Sequence, residues 1–251
     1  MKRAFRAFAA VLAVLSLAAL ARAEDPKPKP VLVFAAASLA EAFRELGEAF
    51  ATAHAPASVE QSFAGSSALV AQVESGAPAE VIATADAVNM GKLESTGRLA
   101  GAPAVFARNR LEIVVERGNP QGVKGLADLA RSDLIVILAA EAVPAGRYAR
   151  QALQTAGVTV APRSLEQNVK AVLNKVALGE ADAGIVYTTD VRAAGDRVSG
   201  VAIPDAQNLI ASYPIALVKQ REVRADARAY LSFVLSEEGH AILARFGFLP
   251  P

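Results

Sequence analysis

The 251-residue sequence contains no cysteine and no tryptophan, and only two histidines and four tyrosines. Without cysteine there is no disulfide, no thiolate metal cluster and no thiol for lipid attachment. His54 lies in the loop AHAPAS and His240 in a C-terminal helical stretch; neither belongs to an HExxH pattern. Isolated histidines in such settings read as surface or packing residues. The shortage of large aromatic rings counts against stacking platforms for sugars or single-stranded nucleic acid. Gly-x-Ser-x-Gly, Gly-x-Gly-x-x-Gly and Walker A patterns are missing, which removes the nucleophile elbow and the usual nucleotide loops. Net charge is small, +1 from 26 basic and 25 acidic residues, so the basic footprint of a nucleic-acid binder is absent.

What is present begins with Lys2, Arg3 and Arg6, then an apolar, alanine-rich run from Phe8 to Leu20, then Ala21-Arg22-Ala23. This is the layout of a secretory signal peptide with a small-x-small cleavage site, and the run is short for a membrane span. Residues 1–23 are therefore expected to be removed, which places the protein in a bacterial periplasm. Residues 24–30, with DPKPKP, read as an extended lead-in. Discounting Lys2, Arg3, Arg6 and Arg22 takes the 26 basic residues to 22 against 25 acidic ones, a net −3. If an anion binds here, a local site must hold it against the global field.

The stretch that organises the rest is VLVFAAASLAEAFREL, residues 31–46. Val31 to Phe34 reads as a buried strand, and Leu39, Phe43 and Leu46 continue at helical spacing. Ser38 stands between them. It can cap the helix, or it can join the unpaired N–H groups and positive dipole end of the helix as a seat for an anion. The pattern recurs. Residues 57–63 (ASVEQSF) read as a strand that empties into AGSSALVAQVESG, with Ser66 and Ser67 at the helix start. AEVIATAD (79–86) reads as a third strand, followed by a short helix. This β-α-β-α-β-α order predicts a mainly parallel sheet flanked by helices.

RLEIVVERGNP (110–120) reads as a strand leaving this first unit. LIVIL (134–138) empties into the turn before Pro144, which suits a first helical turn. SLEQNVKAVLNKVALGEA (164–181) reads as one helix with Val169, Val172, Leu173 and Val176 on its apolar face, and DAGIVYTTD (182–190) as a strand with Tyr187 near its end. Strands at 198–205 and 213–220 and a C-terminal helical stretch broken at Gly239 complete the chain. The reading is two α/β lobes, 31–108 with 212–251 and 109–211, with hinge crossings near 106–110 and 205–213.

Four places face the carboxyl ends of strands, where ligands collect in open α/β sheets: the Ser38 turn, the Ser66 turn, the Pro144–Gly146 turn and Tyr187. They share neutral hydrogen-bond donors, which suits a fully ionised oxyanion. A protonated anion such as hydrogen phosphate needs an acceptor as well, and Glu141 and Glu166 lie near enough in sequence to offer one. Taken alone, Tyr187 reads as a packing tyrosine and Asn168-Val169 as a helix start.

Four segments, VFAAASL (33–39), SFAGSSALVAQVESGAPAEV (62–81), VPAGRYA (143–149) and NVKAVLNKVALGEADAGIVYTTD (168–190), resemble the periplasmic molybdate-binding proteins of ABC transporters. The similarity spans essentially the whole chain after residue 23, in the same order. It implies a two-lobed periplasmic-binding-protein (type II) fold, with a tetrahedral oxyanion held between the lobes. It implies ligand contacts at Ser38, Ser66, Ala145, Val169 and Tyr187, with the alanine and valine acting through backbone N–H. Molybdenum would then be bound as molybdate, or as its tungsten analogue tungstate, and not as a cation. The resemblance also implies a membrane permease as partner, a monomeric receptor, no cofactor and no catalysis. Two departures stand out: ILAAEA precedes VPAG where relatives often have a more polar approach, and Gly65 stands where some have serine. Four readings compete: a receptor for sulfate, phosphate or tungstate alone, an exported serine hydrolase, the effector domain of a regulator, and a receptor for an organic solute.

Overall fold

The computed structural model describes residues 29–251. The expected signal peptide and residues 24–28 of the lead-in lie outside the described residues. Strand β1 (Val31–Ala36) is followed by a single 3₁₀ turn, Ala37–Leu39, and helix α1 (Ala40–Ala53). Next come β2 (Val59–Ala64), α2 (Ser66–Glu74), β3 (Val81–Ala83) and α3 (Ala87–Ser95). The long strand β4 (Ala104–Glu116) leads to β5 (Val136–Ala139), α4 (Pro144–Thr155), β6 (Ser164–Glu166) and α5 (Val169–Ala177). The chain ends with β7 (Ala183–Tyr187), α6 (Thr188–Ala194), β8 (Val198–Ala202), β9 (Ile210–Leu217), α7 (Ala225–Val234) and α8 (Glu237–Arg245).

The strands order as β2-β1-β3-β9-β4-β7-β5-β6, with β8 also on β4. In the first lobe β1 pairs in parallel with β2 and β3, while β9 runs antiparallel to β3 and β4. In the second lobe β5 pairs in parallel with β6 and β7, while β4 runs antiparallel to β7 and β8. Each lobe thus keeps three parallel strands beside antiparallel ones, and all three carboxyl ends face the same way.

β4 belongs to both lobes. Its residues up to Arg110 pair with β9, and from Leu111 onward it pairs with β7 and β8. The second crossing is the segment between β8 and β9. There Asn208 imitates a strand neighbour: its amide accepts from Leu111 N–H at 3.0 Å and donates to Leu111 C=O at 2.9 Å. The crossing strand begins six residues earlier than the sequence pattern indicated, because the charged residues Arg108 and Arg110 alternate with buried Ala107, Asn109 and Leu111 across a half-exposed ladder.

Three other expectations are corrected. The stretch 164–181 is not one helix: Ser164–Glu166 adds an edge strand to β5, and Asn168 then caps α5 by accepting from Ala171 N–H at 2.9 Å. The stretch 182–190 is not strand throughout: its last residues, Thr188 to Asp190, start α6, and the Asp190 carboxylate accepts from Tyr187 N–H at 3.1 Å. The C-terminal helices break at Ser236 and not at Gly239, since Ser236 Oγ accepts from Gly239 N–H at 3.2 Å and caps α8.

Phe43, Leu46 and Phe50 form the buried stripe of α1, as their spacing predicts. Phe50 meets Tyr230 edge-on at 5.2 Å and Phe233 at 5.8 Å, which fastens α7 to α1. In the second lobe Val172, Leu173 and Val176 of α5 bury against the sheet. Phe50→Ala removes a fully buried ring and is expected to lower the unfolding free energy by about 3–5 kcal/mol, read by urea denaturation.

Candidate functional site

The carboxyl ends of β1, β2, β3, β5, β6 and β7, with the starts of α2, α4 and α5, converge on one cavity between the lobes. Its walls are Ala36, Ala37, Ser38, Gly65, Ser66 and Ala85 from the first lobe, and Val143, Pro144, Ala145, Asn168, Val169 and Tyr187 from the second. All five residues singled out from the sequence, Ser38, Ser66, Ala145, Val169 and Tyr187, are among them. The room for the centre of a water-sized body is about 10 Å³. That is about the room one water molecule takes, so the lobes stand closed on each other here.

The backbone supplies unpaired donors. Pro144 is the first residue of α4 and has no N–H, so Ala145 is the first residue of that helix able to donate. Val169 opens α5, and the Asn168 side chain is committed to Ala171, which leaves the Val169 N–H free of the cap. Ser66 opens α2 with Gly65 before it. Close approach explains two glycines. A Cβ on Gly146 would overlap the carbonyls of Ala139 and Ala140, and one on Gly65 would overlap the Gln167 carbonyl of the opposite lobe.

The hydroxyls are set differently from a plain capping role. Ser38 caps nothing: the 3₁₀ turn starts after Ala36 with no side-chain cap, and Ser38 Oγ lies 3.1 Å from the Tyr213 hydroxyl. Ser66 Oγ accepts from Ala85 N–H at 3.0 Å, so its own proton is left to donate elsewhere. Tyr187 is buried, and its hydroxyl has no hydrogen-bond partner among the described residues. An orphaned phenol inside a protein is costly unless something satisfies it. Burial, with the neighbouring Tyr213 and Tyr148 adding to it, pushes the Tyr187 phenol well above its usual range, so it stays protonated and a donor.

None of the wall residues carries a charged side chain. The nearby charges are paired with one another, two of the pairs across the lobes. Arg147 of α4 bonds to buried Asp86, which also caps α3 through Asn89 N–H at 2.9 Å. Lys170 of α5 sits 2.9 Å from Glu41 of α1 and 3.1 Å from Asp190 of α6. The two acceptors suggested by sequence are not wall residues. Glu141 is exposed, and Glu166 is held by Lys175 at 2.7 Å and Ser164 at 2.6 Å. Among the described residues no three His, Asp or Glu side chains gather into a cation site.

Sequence reasoning missed Ala85 of the cavity wall and Tyr213, whose hydroxyl touches Ser38. Ala85 follows the end of β3, so the same strand-end rule would have found it. Nothing local marks Tyr213, which reaches Ser38 across 175 residues of chain.

A cleft between two hinged α/β lobes, lined by helix starts and neutral donors, defines a receptor for a small solute. The chain belongs to the bacterial extracellular solute-binding proteins, whose family profile matches residues 31–249. It is 39% identical over 223 residues to the molybdate-binding protein ModA of Mycobacterium tuberculosis, covering 89% of this chain and 85% of that protein. Among solved structures it resembles the periplasmic molybdate-binding protein of Azotobacter vinelandii, with a TM-score of 0.73, 22% identity, and coverage of 88% and 99%. It also resembles the sulfate-binding protein SubI of M. tuberculosis, with a TM-score of 0.80, 18% identity, and coverage of 89% and 87%. These two likenesses establish the fold. Among the described residues no helix is long and apolar enough to cross a membrane.

Asp190 links this site to pH. Burial raises its carboxyl from the ordinary 3.8 to about 6, although Lys170 and the Tyr187 N–H pull the other way. Between those values the folded protein holds a proton that the unfolded chain has released, so this group makes stability fall as pH rises from about 4 to about 6. Asp190→Asn is expected to remove that contribution. Denaturant titrations of both proteins across the window should show their stability difference changing with pH in that direction.

Proposed function

We propose that the protein captures molybdate between its lobes and delivers it to the membrane permease of an ABC importer. Ser38, Ser66 and Tyr187 donate through their hydroxyls, and Ala145 and Val169 through backbone N–H. The observation that carries the reading is the Tyr187 hydroxyl, buried without a partner beside a cavity walled by donors and no charged side chain. A dianion that brings only acceptors completes that hydrogen bonding, with helix starts supplying the positive potential. The relationship to the mycobacterial molybdate-binding protein supports the choice of ion. Tungstate has the same tetrahedral shape and charge and is expected to bind as well.

In this reading the protein is a periplasmic monomer that works by closure and not by catalysis. Ser38 is engaged by Tyr213 and Ser66 by a backbone N–H, so neither hydroxyl has a base to activate it. The lobes are 31–108 with 212–251 and 109–211, and they open about β4 and the segment before β9. The ion pairs Lys170–Glu41 and Arg147–Asp86 hold the closed form together.

Calorimetric titration of the protein with molybdate, tungstate, sulfate and phosphate tests the ligand. Tight binding of the first two is expected, and binding of sulfate or phosphate alone would replace the ion. Ser38→Ala and Ser66→Ala each remove one donor to a charged acceptor and should weaken molybdate binding by about 1–3 kcal/mol. If both variants bind like the unaltered protein, the site is elsewhere. Gly65→Ala places a methyl group against the opposite lobe. It should weaken binding about tenfold, 1.4 kcal/mol, while leaving the unfolding of the ligand-free protein unchanged, because the obstruction exists only on closure.

A further inference from the structure

Beside the cavity another hollow lies between the lobes. It has a volume of about 320 Å³ and runs between α1 of the first lobe and α5 and α6 of the second. Ala37 and Asn168 belong to both linings, so the groove adjoins the cavity. Its lining is charged where that of the cavity is neutral. Arg44 stands on one wall and Lys170 and Arg197 on the other, against a single carboxylate, Glu41.

Lys170 is taken up by Glu41 at 2.9 Å and by Asp190 at 3.1 Å. The two arginines are both exposed, and neither has a carboxylate within salt-bridge distance among the described residues. The Arg44 guanidinium lies over the Phe63 ring at 5.3 Å, and Arg197 Nε donates to the Ala194 carbonyl at 3.3 Å. Each of these contacts is made within one lobe and leaves the positive charge uncompensated. The two charges therefore stay on the rim when the lobes part, whereas the Lys170–Glu41 pair depends on closure.

The sign of the groove runs against that of the protein. Residues 24–251 carry 22 basic and 25 acidic side chains, a net −3, which repels an approaching dianion. Arg44, Lys170 and Arg197 against Glu41 and the underlying Asp190 leave the groove at +1. Ala40, Phe63, Leu173 and Ala193 complete much of the lining, and such low-dielectric walls focus the field of the charges between them.

We infer that this groove is the vestibule of the cavity, a transit site where Arg44 and Arg197, one from each lobe, draw the oxyanion in from solvent. The inference rests on the oxyanion-receptor reading and adds where the anion enters and what recruits it. Attraction and retention are then divided between two sets of groups. Full charges outside the cavity set the association rate, and the neutral donors inside it set the dissociation rate.

Stopped-flow mixing with molybdate, followed by tyrosine emission, measures both rates, since Tyr187 is on the cavity wall and no tryptophan masks it. Arg44→Gln and Arg197→Gln are each expected to lower the association rate constant about threefold at low ionic strength, and together about tenfold. Dissociation should be unchanged, so calorimetric dissociation constants rise by the same factors. The loss should vanish near 1 M salt, where the Debye length is about 3 Å. Lys124→Gln is the control. It removes the same charge from an exposed residue beyond the end of β4 that pairs with the amino end of β7, away from the cavity, and should leave the rate unchanged. Equal slowing in all three single variants would assign the effect to net charge and overturn the inference. An unaltered association rate in the double variant, or weaker binding that comes from faster dissociation, would overturn it too, while leaving the receptor reading intact. Failure of the unaltered protein to bind molybdate in the calorimeter overturns both.

Discussion

A dianion taken out of water loses a large hydration energy, and the protein must replace it without a facing counter-charge. In the function proposed here the replacement is made from hydrogen-bond dipoles, each of which must be aimed and none of which can be spent on the protein itself. That requirement accounts for much of the local structure. Pro144 at the first turn of α4, Asn168 engaged with Ala171, and Ser66 accepting from Ala85 all leave a particular N–H or O–H unclaimed. The cationic side chains close to the site, Arg147 and Lys170, are drawn off into pairs with Asp86, Glu41 and Asp190. They contribute to holding the lobes together without contributing a point charge to the cavity wall.

The same pairing explains how an apolar, alanine-rich sequence produces a polar site. Ala36, Ala37, Ala85 and Ala145 line the cavity, and their small side chains leave its backbone N–H groups open to a guest of the kind proposed. Gly65 and Gly146 extend this logic to contacts in which even a methyl group is too large. Residue types that look uninformative one by one are required by a site that works through its main chain.

Much of this was legible in the sequence. A short apolar strand followed by a small or hydroxylated residue and then a helical period locates a strand's carboxyl end, and four such ends drew attention to the Ser38, Ser66 and Pro144–Gly146 turns and to Tyr187. Ala145 and Val169 entered through family resemblance, since an alanine or a valine on a helix carries no sign of its backbone role. What stayed hidden depends on contacts between residues far apart in the chain. β6 is three residues long and exists because β5 offers it an edge. The first turn of α6 contains two β-branched threonines that read as strand, and the Asp190 cap overrides them. Tyr213 and Asn109 carry no local signature at all, because their hydrogen-bond partners lie 175 and 80 residues away.

The return of β9 into the first lobe has a consequence for how the chain assembles. Strand β3 gains its second neighbour only through a register that joins Val81 to Leu217. The first lobe begins with the earliest described strand, yet it remains an incomplete sheet until nearly the whole chain is available. The strands of the second lobe, from Leu111 to Ala202, form a continuous stretch and close their pairings without any residue from outside it. During vectorial emergence from a ribosome or an export pore, the lobe that starts first therefore finishes last. The segment that completes its sheet also brings in Tyr213, so the polar side of the cleft is organised by one of the final long-range contacts to form.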